Sequence, residues 1–183
     1  MRKAMQRTMK SDIPGTSFSS LKIRPALEED LPALEWDGEY RHFRRLYRDI
    51  YRSAQRGEAI LWVAELDGQV IGQLFVQLSS GRPELADGLQ RAYIYGFRVR
   101  TVHRDKGVGT RMMQAAEADL IQRGYQLVTL NVNRDNPGAR RLYERLGYRV
   151  VAAEEGRWSY VDDRGKRREV HEPAWRMVKR LYR

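Results

Sequence analysis

The chain contains no cysteine, and that absence excludes several kinds of chemistry. Without thiols there are no disulfides, no thiolate nucleophile and no cysteine ligands for zinc or iron–sulfur clusters. The absence is compatible with a reducing compartment, and we expect a cytoplasmic protein. The sequence also lacks any apolar run near the roughly 18 residues that cross a bilayer, so we expect no membrane partner.

Lysine is scarce and arginine is abundant, since 28 of the 34 basic residues are arginine. Asp and Glu number 24, which leaves a formal net charge of +10. Guanidinium groups bind phosphates and carboxylates through paired hydrogen bonds. The excess predicts attraction to polyanions or to a ligand with several phosphates. Charge alone leaves both a nucleic-acid-binding protein and an enzyme with a phosphorylated cofactor open.

The length of 183 residues, 42% of them apolar, fits a single globular domain. The first residues are basic, but no apolar segment of a secretory signal follows them. Pro14, Gly15 and several Ser and Thr residues then precede the first alternating stretch. We therefore expect residues 1–20 to form a mobile leader and residues 21–183 to form one domain.

Alternating apolar residues predict strands, and apolar residues at helical spacing predict helices. Asp67-Gly68 between two predicted strands indicates a tight hairpin with a type I′ turn. Strand 93–99, the helix after it and strand 127–132 form a βαβ unit, whose strands should be parallel. We predict an α/β (α+β) domain with a mixed, mostly antiparallel sheet and helices on both faces. The predicted helices are 28–36, 39–56, 107–123 and 137–146, and the predicted strands are 21–24, 59–66, 69–78, 93–99, 127–132, 148–152, 158–161 and 175–181.

The turn between strand 93–99 and the next helix carries the clearest sign of chemistry. Its glycines let a backbone approach a ligand, and the helix N-terminus offers free N–H groups to an anion. Arg104 and Lys106 add positive charge beside it. The turn lacks the spacing of a Walker A loop, and Met112 stands where a dinucleotide fingerprint has glycine or alanine. We expect a phosphate-binding turn, and a tight connection without a ligand is the alternative.

Two motifs follow one another in a characteristic order. The first is an Arg-x-x-Gly-x-Gly turn that starts at Arg104, and the second is an Asn-x-x-Ala-x-x-Leu-Tyr-x-x-x-Gly-aromatic run that starts at Asn136. Both closely resemble the cofactor motifs of the GNAT superfamily of acetyl-CoA-dependent N-acetyltransferases. The resemblance extends over about residues 20–182 and implies that the two parallel strands splay apart to hold the cofactor.

The resemblance implies that acetyl-CoA is the cofactor and that an amine attacks its thioester directly. The N–H groups of residues 105–110 would hold the pyrophosphate, and the main chain of Val99 would hold the pantetheine arm. Asn136 would contact the arm or the adjacent backbone. Tyr143 would be the general acid that protonates the departing thiolate. The implied cofactor-binding residues are Phe97, Val99, Arg104, Asp105, Lys106, Gly107, Val108, Gly109, Thr110, Asn136 and Ala139.

The general base is not evident in the sequence. The family often has a glutamate in the strand before the turn, but Tyr95 and Gly96 occupy that region here. Asp37, Glu39 and Glu172 are candidate bases elsewhere in the chain. A chain of water molecules, or an amine that arrives neutral, would serve equally well.

Two other functions stay open at this stage. A basic nucleic-acid-binding module would use the net charge and the basic stretch 164–168, although no known nucleic-acid motif is present. A non-catalytic sensor of acyl-CoA would explain the missing base. Our leading prediction has an amine acceptor, either a small molecule or a protein amine, with no nucleic-acid partner, and the protein as a monomer or homodimer. His42 and His171 have no partner at metal-ligand spacing, so no metal site is predicted.

Overall fold

The computed structural model describes residues 20–182, so the predicted leader lies outside the described residues except for Ser20. These residues form a seven-stranded sheet and a separate two-stranded sheet. The helices are α1 (Arg44–Gln55), α2 (Val108–Gln122) and α3 (Pro137–Arg145), with shorter 3₁₀ helices at Glu28–Glu35, Arg41–Phe43 and Thr101–His103. The strands are β1 (Lys22–Pro25), β2 (Ala59–Leu66), β3 (Gln69–Gln77), β4 (Arg91–Val99), β5 (Leu127–Asn133), β6 (Arg149–Glu154), β7 (Arg157–Val161), β8 (Arg167–His171) and β9 (Ala174–Arg180).

The large sheet has the order β1-β2-β3-β4-β5-β9-β6. Its neighbouring strands are antiparallel, with the exception of the parallel pair β4 and β5. The predicted βαβ unit and the predicted mixed sheet are therefore confirmed. Strand β9 lies between β5 and β6, while β7 and β8 pair with each other as a separate hairpin.

The hairpin of β2 and β3 shows how the sequence sets the local structure. Asp67 and Gly68 have φ angles of 51° and 79°, both left-handed, as a type I′ turn requires. Strand β2 is buried over nearly its whole length, because helices cover both faces of the sheet. Leu61 and Val63 face the α1 side, whereas Ile60 and Trp62 face the α2 side. The prediction of helices on both faces is confirmed.

Two predicted helices differ from the structure in their form. Residues 28–35 make a 3₁₀ helix instead of an α-helix, with Pro32 inside it and a left-handed Trp36 at its end. The predicted helix 39–56 consists of a 3₁₀ turn and then α1. Proline removes an N–H donor and disfavours the α conformation of the residue before it, which explains the tighter first helix.

Strand β8 was not predicted. Its residues, Arg167–His171, were interpreted as part of a basic stretch that follows a turn. Asp162 explains the hairpin, because its Oδ1 accepts the backbone N–H groups of Arg164 and Lys166 at 3.0 and 2.9 Å. Its Oδ2 accepts a hydrogen bond from Nε of Arg168 at 2.7 Å. The strand is mostly exposed, so it lacks the apolar alternation that a half-buried strand shows.

Candidate functional site

A gap opens in the sheet between the two parallel strands. β4 and β5 pair only from Arg91 opposite Leu127 to Ile94 opposite Leu130. Beyond that point β4 runs on to Val99 and β5 runs on to Asn133 without pairing to each other. Both extensions keep their outer partners, β3 and β9, so the sheet is split internally instead of ending at an edge.

A bulge at Gly96 accounts for the split. Between the pairs Phe75–Tyr95 and Gln73–Arg98, one residue of β3 lies opposite two residues of β4, Gly96 and Phe97. Gly96 has a φ angle of +59°, and a Cβ atom there would lie 2.4 Å from Cδ2 of Phe75. The position therefore requires glycine for both conformation and space. A bulge bends its strand and increases the local twist, which turns β4 away from β5.

Val99 presents its main chain to this gap. The N–H of Arg100 donates to the carbonyl of Ile71, so in the alternating antiparallel ladder the polar groups of Val99 point away from β3. The carbonyl of Val99 accepts a hydrogen bond from Nε of Arg104 at 2.9 Å. The N–H of Val99 is thus the group that a ligand in the gap can use.

The turn after β4 presents a row of free donors. Asp105 and Gly107 have left-handed φ angles of 58° and 81°, and α2 begins directly after Gly107. Within residues 20–182, the backbone N–H groups of residues 105–110 donate no hydrogen bond, and the N–H of Arg111 is the first to do so. Free N–H groups at a helix N-terminus form an anion site, and the positive end of the helix dipole strengthens it.

The predicted residues of the turn differ in what they can offer. Arg104 and Lys106 are exposed, and Nζ of Lys106 donates to the carbonyl of Val102 at 3.0 Å. Val108 is fully buried, so its side chain packs in the core and offers no contact to a ligand. A Cβ atom on Gly109 would lie 3.1 Å from Cζ of Phe97, which shows that Gly109 lets α2 pack closely on β4. This packing role was not anticipated from the sequence.

Helix α3 begins with a side-chain cap. Oδ1 of Asn136 accepts the backbone N–H of Ala139 at 3.1 Å, and Pro137 occupies the first turn. Asn136 thus contacts the adjacent backbone, which is one of its two predicted roles. The cap fixes the start of the helix that carries Tyr143.

Tyr143 lies in the core beside the gap. It is 7% exposed, and its ring centroid is 6.4 Å from that of Phe97 and 6.0 Å from that of Tyr148. In the described part of the chain its hydroxyl has no hydrogen-bond partner. Burial raises the pKa of that hydroxyl above its usual value, and the nearby Tyr93 raises it further. The phenol is therefore protonated at neutral pH and free to donate.

Aromatic side chains line the face of β4 that lies on the α1 side of the sheet. Tyr93 and Tyr95 stack with centroids 5.5 Å apart and planes within 4° of parallel. Cζ of Arg98 lies 3.8 Å from the ring centroid of Tyr40. The ring of Phe43 connects this group to the small hairpin, and the participating hairpin residues are Trp158 and Tyr160.

The three candidate bases all lie on the surface. The Asp37 side chain is 88% exposed and forms an ion pair with Arg100 at 3.2 Å. Glu172 accepts a weak hydrogen bond from Nε1 of Trp158 at 3.4 Å, and Glu39 is exposed. Among residues 20–182, none of the three forms a hydrogen bond or ion pair with a residue of β4. Across residues 20–182 there is no group of three or more His, Asp or Glu residues that could hold a metal ion. In that same part of the chain, no helix has the length and apolar character needed to cross a membrane.

The split sheet and the anion-binding turn define an α/β protein that opens between two parallel strands beside a helix N-terminus. Residues 23–148 match the model of the acetyltransferase (GNAT) family, and the chain belongs to this family. The matched segment contains the gap, the turn and Tyr143.

Individual proteins of known sequence or structure agree with this assignment. Camello of Xenopus tropicalis, described as a probable N-acetyltransferase, is 30% identical over 133 residues, which are 68% of this chain and 58% of that protein. The uncharacterized N-acetyltransferase YhfO of Bacillus subtilis (strain 168) is 31% identical over 139 residues, 70% of this chain and 89% of that protein. The crystal structure of Arabidopsis thaliana NAA60 in complex with acetyl-CoA has the same fold, with a TM-score of 0.67, 20% identity and coverage of 88% of this chain and 98% of that chain.

Proposed function

We propose that this protein transfers the acetyl group of acetyl-CoA to an amine. The observation that carries the proposal is the split between β4 and β5, which opens beside a row of unpaired N–H donors. A pyrophosphate fits the donors of residues 105–110, because such N–H groups lie where the helix dipole favours negative charge. An extended arm with amide groups fits the gap, where the N–H of Val99 is available.

The buried phenol of Tyr143 supplies the acid. Bound acetyl-CoA provides a thioester carbonyl for attack by an amine and a thiolate as the leaving group. The Tyr143 hydroxyl donates its proton to that sulfur, and its raised pKa keeps the proton in place until the thiolate forms. Strand β4 carries no carboxylate that could act as the general base. We therefore assign the removal of the amine proton to water, unless the amine binds in its neutral form and needs no base.

Calorimetry at moderate salt tests the cofactor site, with desulfo-coenzyme A and ATP for comparison. We expect acetyl-CoA to bind far more tightly than ATP. Gly107→Val should abolish this binding, because a β-branched residue does not accept the φ angle of 81° on which the turn depends. Gly57→Val is the matched control, since Gly57 has a φ angle of 75° after α1 and lies outside the turn.

Two outcomes would change the assignment. Equal affinity for ATP would make the turn a general anion site and would remove the acetyltransferase proposal. Tight acetyl-CoA binding without transfer to any amine would indicate an acyl-CoA sensor. The nucleic-acid alternative gains no support from the basic stretch 164–168, because Arg167 and Arg168 are paired with Glu169 and Asp162 at 2.7 Å each.

A further inference from the structure

Arg98 is a half-buried cation without an acidic partner. In the described residues no carboxylate lies within ion-pair distance of it, and its one side-chain hydrogen bond goes from Nη1 to the hydroxyl of Tyr47 at 3.0 Å. Arg91, another half-buried arginine of β4, donates to the backbone carbonyl of Glu84 instead. The remaining half-buried arginines each pair with a carboxylate, and they are Arg24, Arg44, Arg100, Arg140 and Arg176.

Aromatic rings surround Arg98 where a carboxylate would otherwise be expected. Cζ of Arg98 lies 3.8 Å from the ring centroid of Tyr40 and 5.1 Å from that of Phe43. Ring faces attract a guanidinium and partly compensate for its loss of water. The rings contact the flat face of the guanidinium, so its in-plane N–H groups, apart from the one that donates to Tyr47, have no partner among the described residues. A guanidinium has five N–H donors, and two parallel donors match the two oxygens of a carboxylate.

The position of Arg98 on β4 places it beside the gap. It directly precedes Val99, and it lies in the part of β4 that has no pairing with β5. Phe97 and Val99 pack on the α2 side, whereas Arg98 contacts residues of the α1 side. The cation therefore stands on the side of the gap opposite the anion-binding turn. A second substrate approaching the gap from the α1 side would meet Arg98.

We propose that the amine acceptor carries a carboxylate group and that Arg98 binds it. The inference rests on the proposed acetyl transfer and specifies its second substrate. A carboxylate bound in the plane of the guanidinium would complete the ion pair that Arg98 lacks. It would also hold the acceptor beside Val99, where the amine can enter the gap.

Matched acceptor pairs test the proposal. Initial rates of coenzyme A release would be compared for amino acids and dipeptides against the same compounds with the carboxylate converted to an amide. We expect the carboxylate member of the preferred pair to have a kcat/KM at least about tenfold higher, since a hydrogen bond to a charged group contributes on this scale. Arg98→Gln should bring the ratio to about one by raising the KM of the acceptor. The KM of acetyl-CoA should not change.

Two further variants separate binding from a structural effect. Arg98→Lys keeps the positive charge but loses the two parallel N–H donors, so part of the preference for the carboxylate should remain. Arg91→Gln removes the other half-buried arginine of the same strand, and the ratio should stay as in the unmodified protein. Equal use of acid and amide by the unmodified protein would overturn the inference and leave the acetyl transfer intact.

A binding measurement covers the case in which no amine of the panel reacts. Phenylacetate and phenylacetamide would be titrated calorimetrically into the protein with and without saturating coenzyme A. We expect phenylacetate to bind, phenylacetamide to bind more weakly, and Arg98→Gln to remove the difference. Identical behaviour of the two probes would overturn the inference. Failure of acetyl-CoA itself to bind would count against the proposed function. The titrations without coenzyme A would still test the role of Arg98.

Discussion

Two buried tyrosines, Tyr143 and Tyr148, lie side by side in the core and differ in the hydrogen bonds of their hydroxyl groups. The hydroxyl of Tyr148 donates to Oε1 of Glu117 at 2.8 Å, and Glu117 also pairs with Lys179. The hydroxyl of Tyr143 has no such partner within residues 20–182. The Tyr148 hydroxyl therefore contributes to stability through its hydrogen bond, whereas the Tyr143 hydroxyl is available to donate to a ligand.

This contrast yields a paired prediction. Tyr143→Phe should lower kcat by about 10²–10⁴-fold, the range of a general acid, while the melting temperature stays nearly constant. Tyr148→Phe should lower the melting temperature and leave kcat nearly unchanged. It removes a buried hydrogen bond, which costs about 1–3 kcal/mol of stability, and it leaves the Tyr143 hydroxyl in place. Steady-state kinetics and thermal unfolding of both variants would show it. A Tyr143→Phe enzyme with unchanged kcat would remove the acid role.

The pH dependence of the reaction follows from the same burial. Because the pKa of Tyr143 is raised, the acid remains protonated through the alkaline range, whereas the acceptor amine loses its proton there. We expect kcat/KM to rise with pH and to show no descending limb below about pH 10, the ordinary pKa of tyrosine. A descending limb near pH 8 that disappears in Tyr143→Phe would contradict the assignment.

At the residue scale the sequence points to the turn and to Tyr143, whose roles stay predictions, but it does not point to Arg98. The turn and Tyr143 belong to short motifs whose residues are close in the chain. Arg98 meets Tyr40 and Tyr47 across more than fifty positions, and only the tertiary fold brings them together. Contacts of that kind have no local signal in the sequence.

Among the elements, β4 depends on a single glycine for its shape. Gly96→Ala would force a Cβ atom to within 2.4 Å of the Phe75 ring at a left-handed φ angle. We expect a loss of about 2–4 kcal/mol and weaker acetyl-CoA binding, from strain and overpacking together. Gly68→Ala is the control, since its φ angle is also positive but nothing lies within 4 Å of the added atom. Denaturant unfolding and calorimetry would compare the two, and equal losses would show that the bulge tolerates a side chain.

The small hairpin depends on one carboxylate. Asp162 is 2% exposed, and hydrogen bonds from the backbone N–H of Lys166, from Arg168 and from the backbone N–H of Arg164 lower its pKa. Asp162→Ala removes all three interactions, so we expect faster proteolysis between β7 and β8 and faster hydrogen exchange in β8. Asp163→Ala is the matched control, because within residues 20–182 the one polar interaction of the Asp163 side chain is a long ion pair with Arg41 at 3.5 Å. Unchanged exchange in the Asp162 variant would show that the strands hold the hairpin without this turn.

The elements also show where pattern reasoning stops. The β2–β3 hairpin was predicted almost to the residue, because Asp67-Gly68 specifies its turn and mostly apolar strands flank it. The first helix was predicted in place but without its 3₁₀ form, since acidic residues and apolar spacing fit a 3₁₀ helix as well as an α-helix. Strand β8 was missed because its stability comes from Asp162 and not from an apolar face.

For the whole molecule, charge pairing governs the response to acid. The Arg24 guanidinium lowers the pKa of Asp30, and that of Arg44 lowers the pKa of Glu35. A carboxylate with a lowered folded-state pKa contributes stability above its unfolded value and loses it as the pH falls through the lowered value. The urea midpoint should therefore fall as the pH drops below about 4. Asp30→Asn should reduce this decline and also lower the midpoint at pH 7, and an unchanged acid slope would argue against the role of the pair.

The order of the strands means that the large sheet cannot be completed until the last part of the chain has been synthesised. β6 joins the large sheet only through β9, and β9 is also the second partner of β5. A ribosome that has released residue 148 has already produced the turn after β4 and Tyr143, yet β5 still has an open edge. An unpaired edge of this kind invites pairing with other chains. The nascent chain therefore contains the turn and Tyr143 before its sheet is complete, and the edge of β5 stays open until β9 has been synthesised.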